Sequence, residues 1–209
     1  MNYCDKLTDM KAPRSPEIME FHDRWLAQSD WGEASPEPAQ GVWPHIELNH
    51  RCNCVLWKEE DQARRRNVPD AAIAANKRAI DAHNQNRNDS IEKIDEYLLG
   101  LLAAVERKAG ARLHSETAGS MTDRLSILAL KVFHMRLQTE RTEAGREHIE
   151  TSRTRLARLV EQRADLASCF DTLLDDCAAG HAWFKIYRQF KMYNDPAFNP
   201  YLYGAKRSG

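Results

Sequence analysis

No stretch of this sequence is long and apolar enough to cross a bilayer. The longest strongly apolar run is Tyr97 to Val105, well short of the roughly 20 residues that a spanning helix needs. The opening residues Met-Asn-Tyr-Cys-Asp-Lys lack the apolar core of a secretory signal, so the expected location is the cytoplasm. Charge of one sign is also missing. A formal net charge of −1 gives no global attraction to nucleic acid or anionic lipid, and no face collects enough unpaired cations for a nucleic-acid partner. The five cysteines, Cys4, Cys52, Cys54, Cys169 and Cys177, are too few and odd in number for a disulfide framework. Cys52 and Cys54 have one spacer, unlike a structural zinc pair, and read as reduced thiols. There is no Gly-rich phosphate loop, Gly-x-Ser-x-Gly elbow, His-Glu-x-x-His or Cys-x-x-Cys, and no internal repeat.

What the chain does have is helical periodicity. Charged residues make up 29% and mean hydropathy is −0.67, yet the apolar residues recur at helical spacing, which argues against disorder. The expected fold is an all-α, single-domain bundle of about five helices with one long central helix and an aromatic C-terminal strap. Residues 1–44 form an N-terminal segment with one helix and a Pro-rich loop, residues 45–182 the bundle core, and residues 183–209 the strap. Ser15-Pro16-Glu17 starts the first helix, with Ser15 as cap, and it runs to about Gln28. The second spans about His45 to Arg66. Val68-Pro69-Asp70 breaks the chain, and the third helix follows from about Ala71 to Arg107, with Leu98 to Val105 apolar nearly all round and therefore central. The fourth begins near Ser120. The fifth runs from about Arg146 to Ala178 and is closed by Gly180.

Residues 77–95 organise the rest. On a helix, Ile73, Ile80, Ile91, Ile94 and Leu98 form an apolar stripe. Lys77, Asp81, Asn84, Gln85, Asn88, Glu92 and Asp95 form a second stripe beside it. An ordinary amphipathic helix keeps its polar groups opposite the core; here they border it. Asn84, Gln85, Asn86 and Asn88 also cost helix stability unless they hydrogen-bond something. The second helix repeats the pattern: Asn49, Asn53, Trp57, Glu60 and Arg64 share a face, flanked by His50 and Asp61. The competing reading is a solvated face of i,i+4 pairs, with Trp57 in the core and Glu60–Arg64 on the surface. On the fourth helix Asp123, Ser126, Ile127, Leu130 and His134 share a face; a lone histidine there is more often a hydrogen-bonded core residue than a ligand. On the fifth, Arg153, Arg155, Arg158 and Arg163 alternate with acids and read as solvated. The tail holds eight aromatics, from Trp183 to Tyr203, interleaved with Lys185, Arg188 and Lys191. It reads as a strap across the bundle rather than as a stacking platform for bases.

Four blocks carry a resemblance: Asn49-His50 through Asn53 with Leu56-Trp57, Glu60-Asp61 and Ala63-Arg64; Lys77-Arg78 through Asn84-Gln85, Arg87-Asn88-Asp89, Ile91-Glu92 and Ile94-Asp95; Ser115-Glu116-Thr117 with Gly119 and Asp123 to Lys131, then His134-Met135; and Tyr187 to Pro196 with Asn199-Pro200. Together they resemble the bacterial family called domain of unknown function 4254. Ala118 stands where that pattern has proline, which should loosen the loop before the fourth helix. The resemblance implies a setting among glycosyltransferases of surface-polysaccharide and lipopolysaccharide assembly.

The leading expectation is therefore a protein that binds, and acts on or merely holds, a sugar phosphate or nucleotide sugar in a polar furrow. The furrow lies between helices two and three and is completed by helix four and the tail. Arg64, Lys77, Arg78, Arg87 and Arg124 are candidates for phosphate, and Lys131 and Arg188 are further ligand-binding candidates. Asn49, Asn53, Asn84, Gln85 and Asn88 are candidates for sugar hydroxyls, and His50, Trp57, Asp95 and Asp123 are further ligand-binding candidates. Glu60, Asp61, Asp81 and Glu92 are candidates for acid–base work or for Mg²⁺. An alternative is a non-catalytic partner of a glycosyltransferase, alone or as a homo-oligomer, whose polar rows fix helix register. A third is an Mg²⁺-dependent all-α nucleotide pyrophosphohydrolase, in which Glu60-Asp61 faces Glu92-x-x-Asp95.

Overall fold

The apolar spacings resolve into helices whose ends follow the turn chemistry. The computed structural model describes residues 12–28, 40–190, 192 and 195–203. Cys4, residues 29–39 of the Pro-rich loop, Lys191, Tyr193, Asn194, the Tyr203 side chain and residues 204–209 lie outside the described set. The helices are α1 (Ser15–Leu26), α2 (Trp43–Gln62), α3 (Asp70–Leu101), α4 (Ala118–Thr139), α5 (Arg146–Ala178) and the single turn α6 (Pro200–Tyr203). The protein is all-α apart from a two-residue parallel pairing of β1 (Arg112–Leu113) with β2 (Ala182–Trp183).

Two antiparallel hairpins build the bundle. α2 packs along α3 and α4 along α5; α4 also rests on α2 and α3, and α1 lies against α4 and α5. Ile18, Phe21, Trp25, Ile46, Ile94, Leu98, Leu125, Leu130, Phe170 and Leu174 are fully enclosed where these elements meet. Ser15 is not the cap of α1 but its first residue. Its N–H and hydroxyl both donate to Asp171 (3.0 and 2.7 Å), which ties α1 to α5. α3 stops at Leu101, short of Arg107, because the chain turns there to make the β pairing. Gly110 (φ +81°) and Gly180 (φ +76°) supply the left-handed turns that bring the two strands together.

Two expectations about the loops and the cations change. α4 begins at Ala118, near the expected Ser120, and Thr117 caps it: its Oγ1 accepts from the Ser120 N–H at 3.1 Å. Ala118 is then the first helical residue and is fully buried. That position suits proline but does not need it, so the loop is not loosened. Arg163 is not solvated. Only 5% exposed, it donates to Asp23 (2.8 Å) and to the Met19 carbonyl (3.0 Å), because α1 crosses over it.

Gly119 sets the distance between α3 and α4. A Cβ there would stand 2.4 Å from the Ile91 carbonyl oxygen and 2.9 Å from Asp95 Oδ1. The first of these is backbone and cannot rotate away, so the helices would have to part. Gly119→Ala is expected to lose roughly 1–3 kcal/mol, read as a lower urea midpoint with the slope unchanged. A midpoint equal to the parent's would mean that the two helices are not held this close.

Candidate functional site

The polar stripes of α2 and α3 do turn toward each other, and α4 closes over them. Asn49, His50, Asn53, Asn88, Ser90, Asp95, Asp123 and Ser126 are all buried. Asp123 Oδ1 is the hub. It accepts from Asn49 Nδ2 (3.0 Å) and Asn53 Nδ2 (2.9 Å), and Arg87 Nε approaches it to 3.8 Å. Asn53 also donates to Ser126 Oγ (3.0 Å), which lies 2.7 Å from His50 Nδ1. Buried amides and carboxylates hold only when partnered in this way. This part of the furrow is thus a satisfied polar core. Asn49 and His50 are fully enclosed and face no cavity, and Cys52 and Cys54 beside them are free thiols that burial pushes up to about 11 and about 12.

The furrow opens where α2 runs past Asn53. A cavity of about 270 Å³ is lined by Asn53, Trp57, Glu60, Asp61, Arg64 and Arg87, with Ile127 and Leu130 from α4. Trp57 and Asp61 also line a larger cavity of about 580 Å³ between α2, α4 and α5, with Lys131, His134, Arg155, Arg158 and Gln162. Its wall is a ring stack: the Trp57 and His134 planes lie 5° apart with centroids 4.3 Å apart. Burial lowers the His134 pKa, and the Asp61 carboxylate pulls it the other way. The imidazole is therefore neutral near pH 7, with a carboxylate close by. Lys131, Arg155 and Arg158 make no ion pair among the described residues, whereas Arg64 is paired with Glu60 and Arg124 with Glu116. The cleft is thus an aromatic wall with three cations that make no ion pair among the described residues and one carboxylate, Asp61. Such a site favours a ligand that is both ring-bearing and anionic.

The other candidates fall elsewhere. Lys77 and Asp81 pair with each other at the surface, Arg78 is exposed, Asn84 is half-buried, and Gln85 bonds Asp89 at the surface (2.6 Å). Asp95 sits beneath the first turn of α4 and accepts the Gly119 N–H at 2.7 Å. Its carboxyl is pushed up to about 6, chiefly by burial and against the hydrogen bonds from Thr117 and Gly119. Glu92 accepts from Arg188 and from the Gln189 N–H (3.1 Å), and Arg188 also reaches Glu96 (2.6 Å). These contacts hold the tail on α3 over a second concavity of about 450 Å³. Past Phe184 the described aromatics Tyr187, Phe190, Phe198 and Tyr201 are exposed, so the ion pairs, not the rings, fasten the strap.

The acid pairs do not converge. Glu59 Oε2 accepts from Asn76 (2.7 Å), which places the end of α2 opposite the start of α3. Glu92 lies 16 residues beyond Asn76, about 24 Å away along the helix. Among the described residues no group of three His, Cys, Asp or Glu is placed to hold a metal ion. The pyrophosphohydrolase arrangement is therefore not formed, and Mg²⁺ has no acid cluster here.

A family model described as "Protein of unknown function (DUF4254)" matches residues 43–186. The chain belongs to this family. Compared with curated proteins and with solved structures, it finds no match. The DUF4254 match takes in α2 through β2, and with them the whole polar core and every residue that lines the cleft. Helix α1 lies outside it. Arg155 and Arg158 are exposed, as their alternation with acids indicates, and they also line the cleft, which that alternation does not show. Their signal is the apolar Leu159, one residue after Arg158 and four after Arg155, which lines the same cavity.

Proposed function

We propose that the cleft between α2, α4 and α5 binds a sugar phosphate or nucleotide sugar, and that the protein serves surface-polysaccharide or lipopolysaccharide assembly in the cytoplasm. The observation that carries the ligand class is the Trp57–His134 ring stack beside Lys131, Arg155 and Arg158, which make no ion pair among the described residues. A cavity of about 580 Å³ is in the range of small-molecule sites. Rings pack on sugars and bases, and the cations meet phosphate. The glycan setting rests on the family context alone. Of the four acid–base candidates, Asp61 stands beside a neutral imidazole in this cleft. Asp61 and His134 are thus the pair that would move a proton if the bound ligand reacts.

Titration calorimetry with glucose 1-phosphate, UDP-glucose and inorganic phosphate tests the reading. Binding of at least one sugar-bearing probe is expected, and the Lys131→Ala/Arg158→Ala double variant should weaken it by roughly tenfold or more. Absence of heat from every probe at millimolar concentration would overturn it. A second reading, a non-catalytic partner of a glycosyltransferase, is favoured by the exposed Tyr187, Phe190, Phe198 and Tyr201, since aromatics dominate interface hot spots.

A further inference from the structure

We propose that the ligand of the cleft is a nucleoside diphosphate sugar, lying across Lys131 with its base against the Trp57–His134 wall and its sugar in the adjoining cavity. This deepens the anion-binding reading of the cleft and rests on it. Along α4 and α5 the cleft continues into a further cavity of about 620 Å³, lined by His114, Glu116, Arg124, Asp165 and Cys169. Lys131 and Gln162 line both cavities and so stand at the boundary between them. The two cavities differ in charge. In the second, Arg124 is neutralised by Glu116, and Asp165 and His114 add hydrogen-bonding capacity without cationic excess. That lining suits a neutral polyhydroxyl group, read by polar side chains. The cations that make no ion pair among the described residues, Arg155, Arg158 and Lys131, lie in the first cavity and on the boundary, where a pyrophosphate would bridge the two halves. From His134 to Arg124 is ten residues of α4, about 15 Å. A sugar monophosphate would fill one end only.

Cys169 gives the second cavity its own reporter. It is exposed and lines that cavity, whereas Cys52, Cys54 and Cys177 are buried with thiols pushed up to about 11, about 12 and about 12, and so react slowly. The experiment combines calorimetry with peptide-resolved iodoacetamide labelling of the full chain. The probes are UDP-, ADP-, GDP- and dTDP-glucose, the matching nucleoside mono- and diphosphates, and glucose 1-phosphate. One nucleoside diphosphate glucose should bind roughly tenfold or more tighter than both glucose 1-phosphate and its own nucleoside diphosphate. It should slow alkylation of Cys169 in proportion to occupancy, while the monophosphate leaves the rate unchanged. Lys131→Ala should abolish the preference for diphosphate over monophosphate. If glucose 1-phosphate binds as tightly as every nucleotide sugar, or if Cys169 reacts at full rate under saturating nucleotide sugar, the two-cavity ligand is wrong and the anion cleft stands. If no probe binds, both readings fall.

Discussion

Asp123→Ala is expected to cost about 3–5 kcal/mol of folding stability, enough to unfold a marginal domain at 37 °C. One oxygen of Asp123 accepts from both Asn49 and Asn53 and faces Arg87, and its side chain is 11% exposed. Removing it takes one acceptor from each of two buried amides, leaving Asn49 with Ser90 (3.3 Å) and Asn53 with Ser126 (3.0 Å), and leaves a half-buried guanidinium unpaired. Each buried amide hydrogen left without an acceptor costs about 1–3 kcal/mol. Asp123→Asn retains one acceptor and should lose less. The contrast is Asp81→Ala, which removes only a surface partner of Lys77 and should change stability by less than about 1 kcal/mol. Urea unfolding of the three variants decides it. An Asp123→Ala midpoint close to that of Asp81→Ala would mean that the network does not hold the helices together.

That contrast also marks where the sequence was readable. Asp81 and Asn88 lie on one polar stripe, and the stripe was visible because amides and acids bordered the apolar residues. What periodicity could not say is which part of the stripe α4 covers. The second half of α3 lies under α4, so Asn88 and Asp95 are buried; the first half packs on α2 alone, so Lys77 and Asp81 meet water. Helix α5 was legible to the residue, because Gly145 and Gly180 bracket an unbroken pattern. Its arginines were legible in part: Arg153, Arg155 and Arg158 are exposed, but Arg163 is buried. Arg155, Arg158 and Arg163 look alike in sequence, and only the crossing of α1 over one and the concavity beside the other two separates them. A two-residue β pairing leaves no period to read, and it ended α3 early. His134, which helical spacing reads as a core residue, is a wall of the cleft, since a ring stack with Trp57 joins two helices that local spacing cannot relate.

The buried histidines make the fold sensitive to acid, and the effect should be large. His22 of α1 and His50 of α2 stack with centroids 4.3 Å apart. Neither ring nitrogen of His22 has a hydrogen-bond partner. Burial, followed by the neighbouring His50 and Arg163, lowers His22 well below the usual imidazole range; burial and then Arg163 bring His50 down to about 3. In the unfolded chain both titrate near 6.5. Below that pH the unfolded state takes up protons that the folded state refuses, so stability is full above about 6.5 and falls as pH drops, by about 1.4 kcal/mol per unit for each histidine. Asp95 works in the opposite sense. Its folded carboxyl titrates at about 6 against roughly 3.9 unfolded, so between about pH 6 and 4 protonation favours the fold and offsets one histidine. The net loss from pH 7 to 4.5 should be about 3 kcal/mol. His22→Phe keeps a ring on His50 and abandons no hydrogen bond. It should leave His50 and Asp95 nearly balanced, and the stability of that variant should be almost flat from pH 6 to 4.5. Asp95→Asn retains an acceptor for Gly119 and should steepen the slope instead. Urea midpoints across pH for the three proteins report these slopes directly; a His22→Phe curve parallel to the parent's would show that His22 is already charged in the folded state.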